Sequence, residues 1–237
     1  MEQENQTFED KWNNLTIADN FIFSAVMQDA EICKKVIELL LGFQIGAIKN
    51  QEIEKTIAIT RNARGVRLDV YVKDEDKVYN IEMQVADKKN LPKRSRYYQG
   101  MIDLNTIQRG GLFNQLKESY VIFICTFDPF GKDLPIYTFE NLCKEENGLP
   151  LNDGTYKLFF NATKYDAITS EDLKHFMSYV NGSYQESNPF TKQLNEKVTE
   201  IKTSDKWRVE FMTLDLLLKE TEARVAKEAE ARGEARG

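Results

Sequence analysis

One histidine, His175, occurs among 237 residues. Sites built on several imidazoles are therefore excluded, and a serine or cysteine nucleophile has only that one imidazole to serve as its base. Cysteine is nearly as scarce, and Cys33, Cys125 and Cys143 form no close pair. Cys33 and Cys125 sit inside apolar runs, where a small buried thiol is the ordinary explanation, so neither a disulfide framework nor a structural zinc site is expected. No apolar run approaches the ~18–20 residues that a bilayer requires, and the start is acidic and polar, unlike a basic stretch feeding an apolar leader. These features predict a cytoplasmic protein without a membrane segment. Surplus positive charge is missing too: the net charge of -6 argues against polyanion binding by the whole surface, although a local basic patch can still hold a phosphate backbone. With imidazole and thiol set aside, chemistry falls to carboxylates.

What is present is a hydrophobic content of 41%, enough to fill the core of one large domain with appendages. Over residues 17–41, Phe21, Ile22, Val26, Ile32, Val36, Ile37 and Leu40 recur at spacings that predict one helical face, with Gly42 as its stop. Thr16 and Asp19 have the spacing of a capping pair at its start. Strand-like runs follow at 56–60, 65–73 and 77–86, the last two separated by the turn Asp74-Glu75-Asp76. A helix over 92–108 opens on Pro92 and closes on Gly110-Gly111. Residues 119–127 (SYVIFICTF) form an almost continuous apolar run, which predicts a central strand buried on both faces.

Further strands are predicted at 135–140 and 156–161, then a short helix at 170–179. From Asn188-Pro189 onward the pattern is helical, and the charged tail over 219–237 is expected to project or fray. Gly, Ser and Asn cluster over 181–188, which divides the chain into a domain over 1–181 and a C-terminal helical extension over 188–237. Trp207, Phe211, Leu214 and Leu218 recur at spacings of four, three and four. That stripe fits either an oligomerisation face or packing on the same domain.

Pairing Lys73 with Val78 across the turn fixes the register of the two central runs. Val66 then opposes Val85, Leu68 opposes Met83, Val70 opposes Ile81 and Val72 opposes Tyr79, four consecutive apolar pairs. The other face sets Arg67 against Gln84, Asp69 against Glu82 and Tyr71 against Asn80. A slip of one residue would mix the two faces. Opposed side chains have Cβ atoms about 4.5–5.5 Å apart, where like charges repel unless something compensates. Mg²⁺ would do so, since it takes oxygen ligands and is usually held by one or two carboxylates together with waters and phosphate oxygens. A solvated strand face eased by Arg67 also explains these residues, and spacing alone leaves both readings open.

Gly65-Val66-Arg67-Leu68-Asp69-Val70, the twelve-residue gap between the acids, and Asn80-Ile81-Glu82-Met83-Gln84 resemble the active-site hairpin of PD-(D/E)XK nucleases. The resemblance is closest to the recombination-promoting nuclease or transposase subgroup. It extends to residues 91–99 (LPKRSRYYQ) and 120–131 (YVIFICTFDPFG) and spans roughly residues 16–165. It implies an α/β fold with a restriction-endonuclease-like αβββαβ core and a mixed sheet, followed by the C-terminal helical extension. Asp69, Glu82 and Gln84 become the catalytic set, with the metal on Asp69, Glu82 and the Met83 carbonyl. Gln84 stands where the motif usually has lysine, and a glutamine can only orient by hydrogen bonds.

Asp19 is a candidate auxiliary acid beside its capping role. Arg67, Arg96 and Gln99 are candidate phosphate-binding residues, whereas Lys93 and Arg94 read as surface charges. Tyr97, Tyr98, Met101, Leu104 and Ile107 are assigned mainly to the core. The implied activity is Mg²⁺-dependent hydrolysis of DNA, with Mn²⁺ as a substitute, linked to recombination or a mobile element. The expected partners are DNA and a second copy of the chain through its C-terminal helix. The neutral Gln84 keeps a second class open, a noncatalytic DNA-binding or assembly protein with a nuclease fold.

Overall fold

The first helical block is interrupted where an aspartate captures backbone donors. In the structure, a computed structural model that describes residues 7–57 and 66–234, α1 (Phe8–Asn14) precedes α2 (Asn20–Val26) and α3 (Ala30–Leu41). Asp29 Oδ1 accepts the backbone N–H groups of Glu31 at 3.0 Å and Ile32 at 3.1 Å. This N-cap starts a new helix, so the single helix expected over 17–41 is two. Gly42 ends α3 in the left-handed conformation, as its position predicts. α1 has no counterpart among the elements expected from the sequence.

Strand β1 (Asn50–Ile57) begins earlier than the run expected at 56–60, whose last three residues lie outside the described residues. β2 (Val66–Lys73) and β3 (Lys77–Gln84) form the expected hairpin. Its ladder pairs Lys73 with Val78, Val72 with Tyr79, Tyr71 with Asn80 and Val70 with Ile81. Asp74 holds the turn, its Oδ1 accepting from Lys77 at 2.7 Å and its Oδ2 from the Tyr79 hydroxyl at 2.8 Å. α4 (Leu91–Thr106) then crosses to β4 (Glu118–Cys125), which lies parallel to β3 and is buried from residue 119 onward. β5 (Ile136–Phe139) and β6 (Thr155–Asn161) complete, among the described residues, a six-stranded mixed sheet of order β1-β2-β3-β4-β6-β5. The αβββαβ order and the central position of residues 119–125 match the expectation.

α5 (Glu171–Val180), α6 (Pro189–Thr203) and α7 (Asp205–Glu234) come after the sheet. α2, α3, α5 and α6 cover one face of the sheet, burying Val70, Val72, Ile81, Met83, Ile122 and Phe160 with their own apolar stripes. α4 covers the other face over Tyr71, Val78, Val121, Phe123 and Phe159. Each face removes apolar surface from water at about 25 cal/mol per Å². Trp207 and Phe211 pack within the chain, with ring centroids 6.0 and 5.1 Å from Phe21, whereas Leu218 is exposed. The tail over 219–237, expected to project or fray, continues α7 as helix to residue 234, and residues 235–237 lie outside the described residues. Among the described residues, no helix is long and apolar enough to cross a membrane.

The sheet breaks regular alternation at one level. β1 and β2 keep a single register, but the pair Glu54 and Asp69 is missing from the ladder, and Glu54 has a positive φ of 55°. Ile53 and Val70 pack on the α2 side of the sheet, whereas Ile57 and Leu68 pack on the α4 side. Both strands therefore exchange faces at this level, which simple alternation forbids. Leu68 and Met83, expected as partners on one face, lie on opposite faces, and Val85 is exposed. The hairpin ladder ends at Val70 and Ile81, one pair short of the acids.

Candidate active site

Beyond that last pair, the carboxylates take the backbone's place. Asp69 N–H donates to Glu82 Oε1 at 3.1 Å, and Met83 N–H donates to Asp69 Oδ2 at 3.2 Å. Each acid thus accepts a main-chain donor from the other's strand, which draws the two together at the mouth of the hairpin. Glu82 is 1% exposed, and its Oε1 also accepts from Asn80 Nδ2 at 3.1 Å. Asp69 is half-buried.

The cation at this mouth comes from α4. Arg94 Nη2 donates to Glu82 Oε2 at 3.1 Å and to the Tyr98 hydroxyl at 2.9 Å, while Nη1 donates to Gln84 Oε1 at 2.7 Å. Its guanidinium carbon lies 5.2 Å from the Tyr98 ring centroid and 5.5 Å from that of Phe123. Gln84 is held at both ends, since its Nε2 donates to the Met83 carbonyl at 2.6 Å. The reading of Arg94 as a surface charge is therefore corrected: α4 turns it inward. A signal was available, because Arg94 lies four residues before Tyr98, which the sequence assigns to the core, and such residues share a helical face.

The electrostatics reflect this crowding. Burial pushes the Glu82 carboxyl above its ordinary range, and the Asp69 charge pushes it further, against the Asp69 N–H, Arg94 and Asn80. Asp69 is also raised, by burial first and by Glu54, against the Met83 N–H, Arg94 and Arg67. Two carboxylates, of which the Arg94 guanidinium bonds only that of Glu82 while Arg67 is itself paired with Glu54, hold surplus negative charge whenever both are ionised. A hard divalent cation relieves that surplus, and carboxylate and carbonyl oxygens are its preferred ligands, so the donor set fits one. Among the described residues, no group of three or more metal-binding side chains occurs. An ion here would draw its remaining ligands from carbonyl, water or phosphate oxygens.

Not all of the candidates gather at this mouth. Arg67 is half-exposed, pairs with Glu54, and lowers Asp69 through its charge. Arg96 is exposed. Gln99 is buried and donates to Ser119 Oγ and to Asp103 Oδ1, away from the acids. Asp19 Oδ2 accepts from the Thr16 N–H at 2.7 Å and the Thr16 hydroxyl at 3.2 Å, closing the turn before α2. The structure thus assembles Asp69, Glu82, Met83, Gln84 and Arg94, with Arg67 at the rim. On the same helix, Tyr98 and Met101 are core residues, but Tyr97 and Leu104 are exposed.

A carboxylate-bearing hairpin followed by a helix and a parallel central strand is the arrangement of the PD-(D/E)XK nuclease fold. Residues 21–206 match the family described as PD-(D/E)XK nuclease family transposase, and the chain belongs to that family. No curated protein and no solved structure matches it.

Proposed function

We propose that this protein is a divalent-metal-dependent endonuclease that hydrolyses DNA phosphodiester bonds, in recombination or the movement of a mobile element. The observation that carries the proposal is the exchange of backbone bonds that brings the Asp69 and Glu82 carboxylates together. Asp69, Glu82 and the Met83 carbonyl are the residues that would hold Mg²⁺, with Mn²⁺ as a substitute. When bound, such an ion polarises a phosphoryl oxygen and acidifies water. Gln84, clamped between the Met83 carbonyl and Arg94, offers an amide of fixed orientation to the attacking water. Arg67 stands half-exposed at the opening, where a phosphate backbone approaches. In the reaction, water oxygen bonds to phosphorus as the bond to the departing sugar oxygen breaks. The water loses its proton to solvent and the departing oxygen gains one.

The test is incubation of purified protein with supercoiled plasmid, labelled single-stranded DNA and RNA, in Mg²⁺, Mn²⁺ or EDTA. Cleavage that needs metal and falls by about a thousandfold in Asp69→Asn and Glu82→Gln is expected. Equal cleavage by wild type and both variants would remove this hairpin from the chemistry. The neutral Gln84 favours the second reading, a noncatalytic DNA-binding or assembly protein, and DNA binding without cleavage in either metal would select it. Leu216, Leu217 and Leu218 are exposed on α7, which supports an oligomerisation role for that helix. Sedimentation of a Leu216→Glu/Leu217→Glu variant at the same mass as wild type would count against that role.

A further inference from the structure

We propose that Arg94 supplies the fixed positive charge of this site, delivered from α4 because the Glu82-Met83-Gln84 segment of β3 brings none, and that it contacts a substrate phosphate beside the carboxylates. The inference rests on the nuclease reading and deepens it. A counter-ion present only to neutralise Glu82 needs one bond. Arg94 instead makes three, two of them to the neutral Gln84 and Tyr98 side chains. The Tyr98 and Phe123 rings lie close enough for cation–π contact and help to fix the guanidinium.

Three of the five N–H donors of an arginine are used in these bonds. The Arg94 side chain remains 26% exposed, while that of Glu82 is 1% exposed. Of the pair, then, the arginine side chain is the one that reaches solvent, and two of its N–H donors are not used in these bonds. A planar guanidinium with remaining donors suits the oxygens of a phosphate diester. Arginine stays protonated throughout the working range, so Arg94 carries charge and position and does not carry the water's proton.

The geometry supplies its own control. Gln84 Oε1 lies 2.7 Å from Arg94 Nη1, so a lysine at position 84 brings its amine toward the space the guanidinium fills. With Arg94 present, two cations then crowd one another. With Arg94 replaced, the lysine restores the missing charge. Gln84→Lys should therefore weaken the wild-type enzyme and rescue Arg94→Gln.

The test compares full-length wild type, Arg94→Gln, Arg94→Lys, Gln84→Lys and the double variant Arg94→Gln/Gln84→Lys. Plasmid cleavage is measured in Mg²⁺, Mn²⁺ affinity by calorimetry, and affinity for a short duplex with Ca²⁺ in place of Mg²⁺. Circular dichroism checks folding, and the double variant keeps a cation beside Glu82 should Arg94→Gln fail to fold. Arg94→Gln is expected to lose about a hundredfold in cleavage and to bind Mn²⁺ about tenfold more tightly, because a competing cation has left the carboxylates. Its duplex affinity should fall about tenfold. Arg94→Lys should fall between wild type and Arg94→Gln, and the double variant should recover to within about tenfold of wild type.

Cleavage by folded Arg94→Gln within about threefold of wild type overturns the proposal, as does a folded double variant that cleaves no better than folded Arg94→Gln. If Arg94→Gln does not fold, a folded double variant cleaving more than about a hundredfold below wild type overturns it. Should wild type bind Mn²⁺ through Asp69 without cleaving, the catalytic reading fails separately. Arg94 is then upheld by tighter Mn²⁺ with weaker duplex binding in Arg94→Gln, or in the double variant restoring wild-type values, and overturned by unchanged values in both. Absence of Mn²⁺ binding by wild type defeats the metal reading and this inference with it.

Discussion

Along β3, Ile81 and Met83 turn toward the core made with α2, α3, α5 and α6, while Asn80, Glu82 and Gln84 turn toward α4, and every one of the five is buried. Glu82 and its neighbour Met83 are each 1% exposed. The two faces differ in what burial costs them. Met83 gains from leaving water, whereas an ionised Glu82 loses hydration that Asp69 N–H, Asn80 and Arg94 only partly replace. Among the described residues, two polar atoms of the α4 layer, Asn80 Oδ1 and Gln99 Oε1, are buried without a hydrogen-bond partner. Filling such a layer with apolar residues of like volume is often neutral or stabilising. Its polarity is therefore not explained by the needs of the fold.

The comparison breaks most visibly if the α4 layer is made hollow. Phe123 is stacked 6.2 Å from Tyr98 and 5.2 Å from Phe159, so Phe123→Ala should cost about 3–5 kcal/mol in denaturant unfolding. Ile81→Ala on the opposite face should cost about 2–5 kcal/mol and leave the Arg94 contacts intact. Glu82→Gln, one residue away, should cost nothing or stabilise the metal-free protein near neutral pH. A change of one pKa unit corresponds to about 1.4 kcal/mol, and the upward shift of this carboxyl gives the sign of the effect, a gain when the charge is removed. A loss of more than about 2 kcal/mol in Glu82→Gln would show that its charge supports the fold.

The pH dependence sharpens the same contrast. Because the folded pKa of Glu82 lies above its unfolded value, the folded chain holds a proton that the unfolded chain releases. Its favourable contribution is full below the unfolded pKa and is lost as pH rises through the folded one. Metal-free wild type should thus lose stability from about pH 4.5 upward relative to Glu82→Gln, whose melting profile should be flatter. Added Mn²⁺ should reverse the slope, since metal binds the deprotonated pair.

Asp128 gives the smallest and opposite effect. Burial alone would raise it, but hydrogen bonds from Tyr137, Asp133, Phe130 and Gly131 hold it down at about 2. Its stabilisation is present above the unfolded pKa near 4 and disappears as pH falls through about 2. Asp128→Asn should remove less than about 1 kcal/mol once solvent screening is counted, fully above about pH 4 and dwindling to nothing as pH falls through about 2. An equal loss at pH 2 would assign the effect to the loop's shape.

Much of this was legible in the sequence where one periodicity dominated. The four ladder pairs from Val70–Ile81 to Lys73–Val78 follow from alternation, and β4 follows from an apolar run too short for a helix. Alternation failed at Leu68, because a left-handed residue at Glu54 and the loss of one ladder pair let two strands exchange faces, a cooperative event that neither strand's pattern records. Arg94 was missed for a different reason. A helical wheel gives neighbours on a face but not what that face meets, and a cation on a polar helix reads as solvated until a buried acid is found beneath it. Asp29 shows the converse case, in which an apolar stripe continued across a cap that split the helix.

The interrupted ladder gives the hairpin two kinds of fastening. From its turn to Val70 and Ile81 it is sewn by main chain, and past that point by side-chain oxygens. Carboxylates can exchange partners by rotating about single bonds, whereas main-chain bonds part only when the strands do. The last two fastenings can therefore open while the seam below stays closed, so this end of the hairpin can adapt without unfolding any of the sheet. Amide hydrogens at Asp69 and Met83 would exchange with solvent faster than those of the sewn stretch, and the arrival of an ion would be registered first at those two positions.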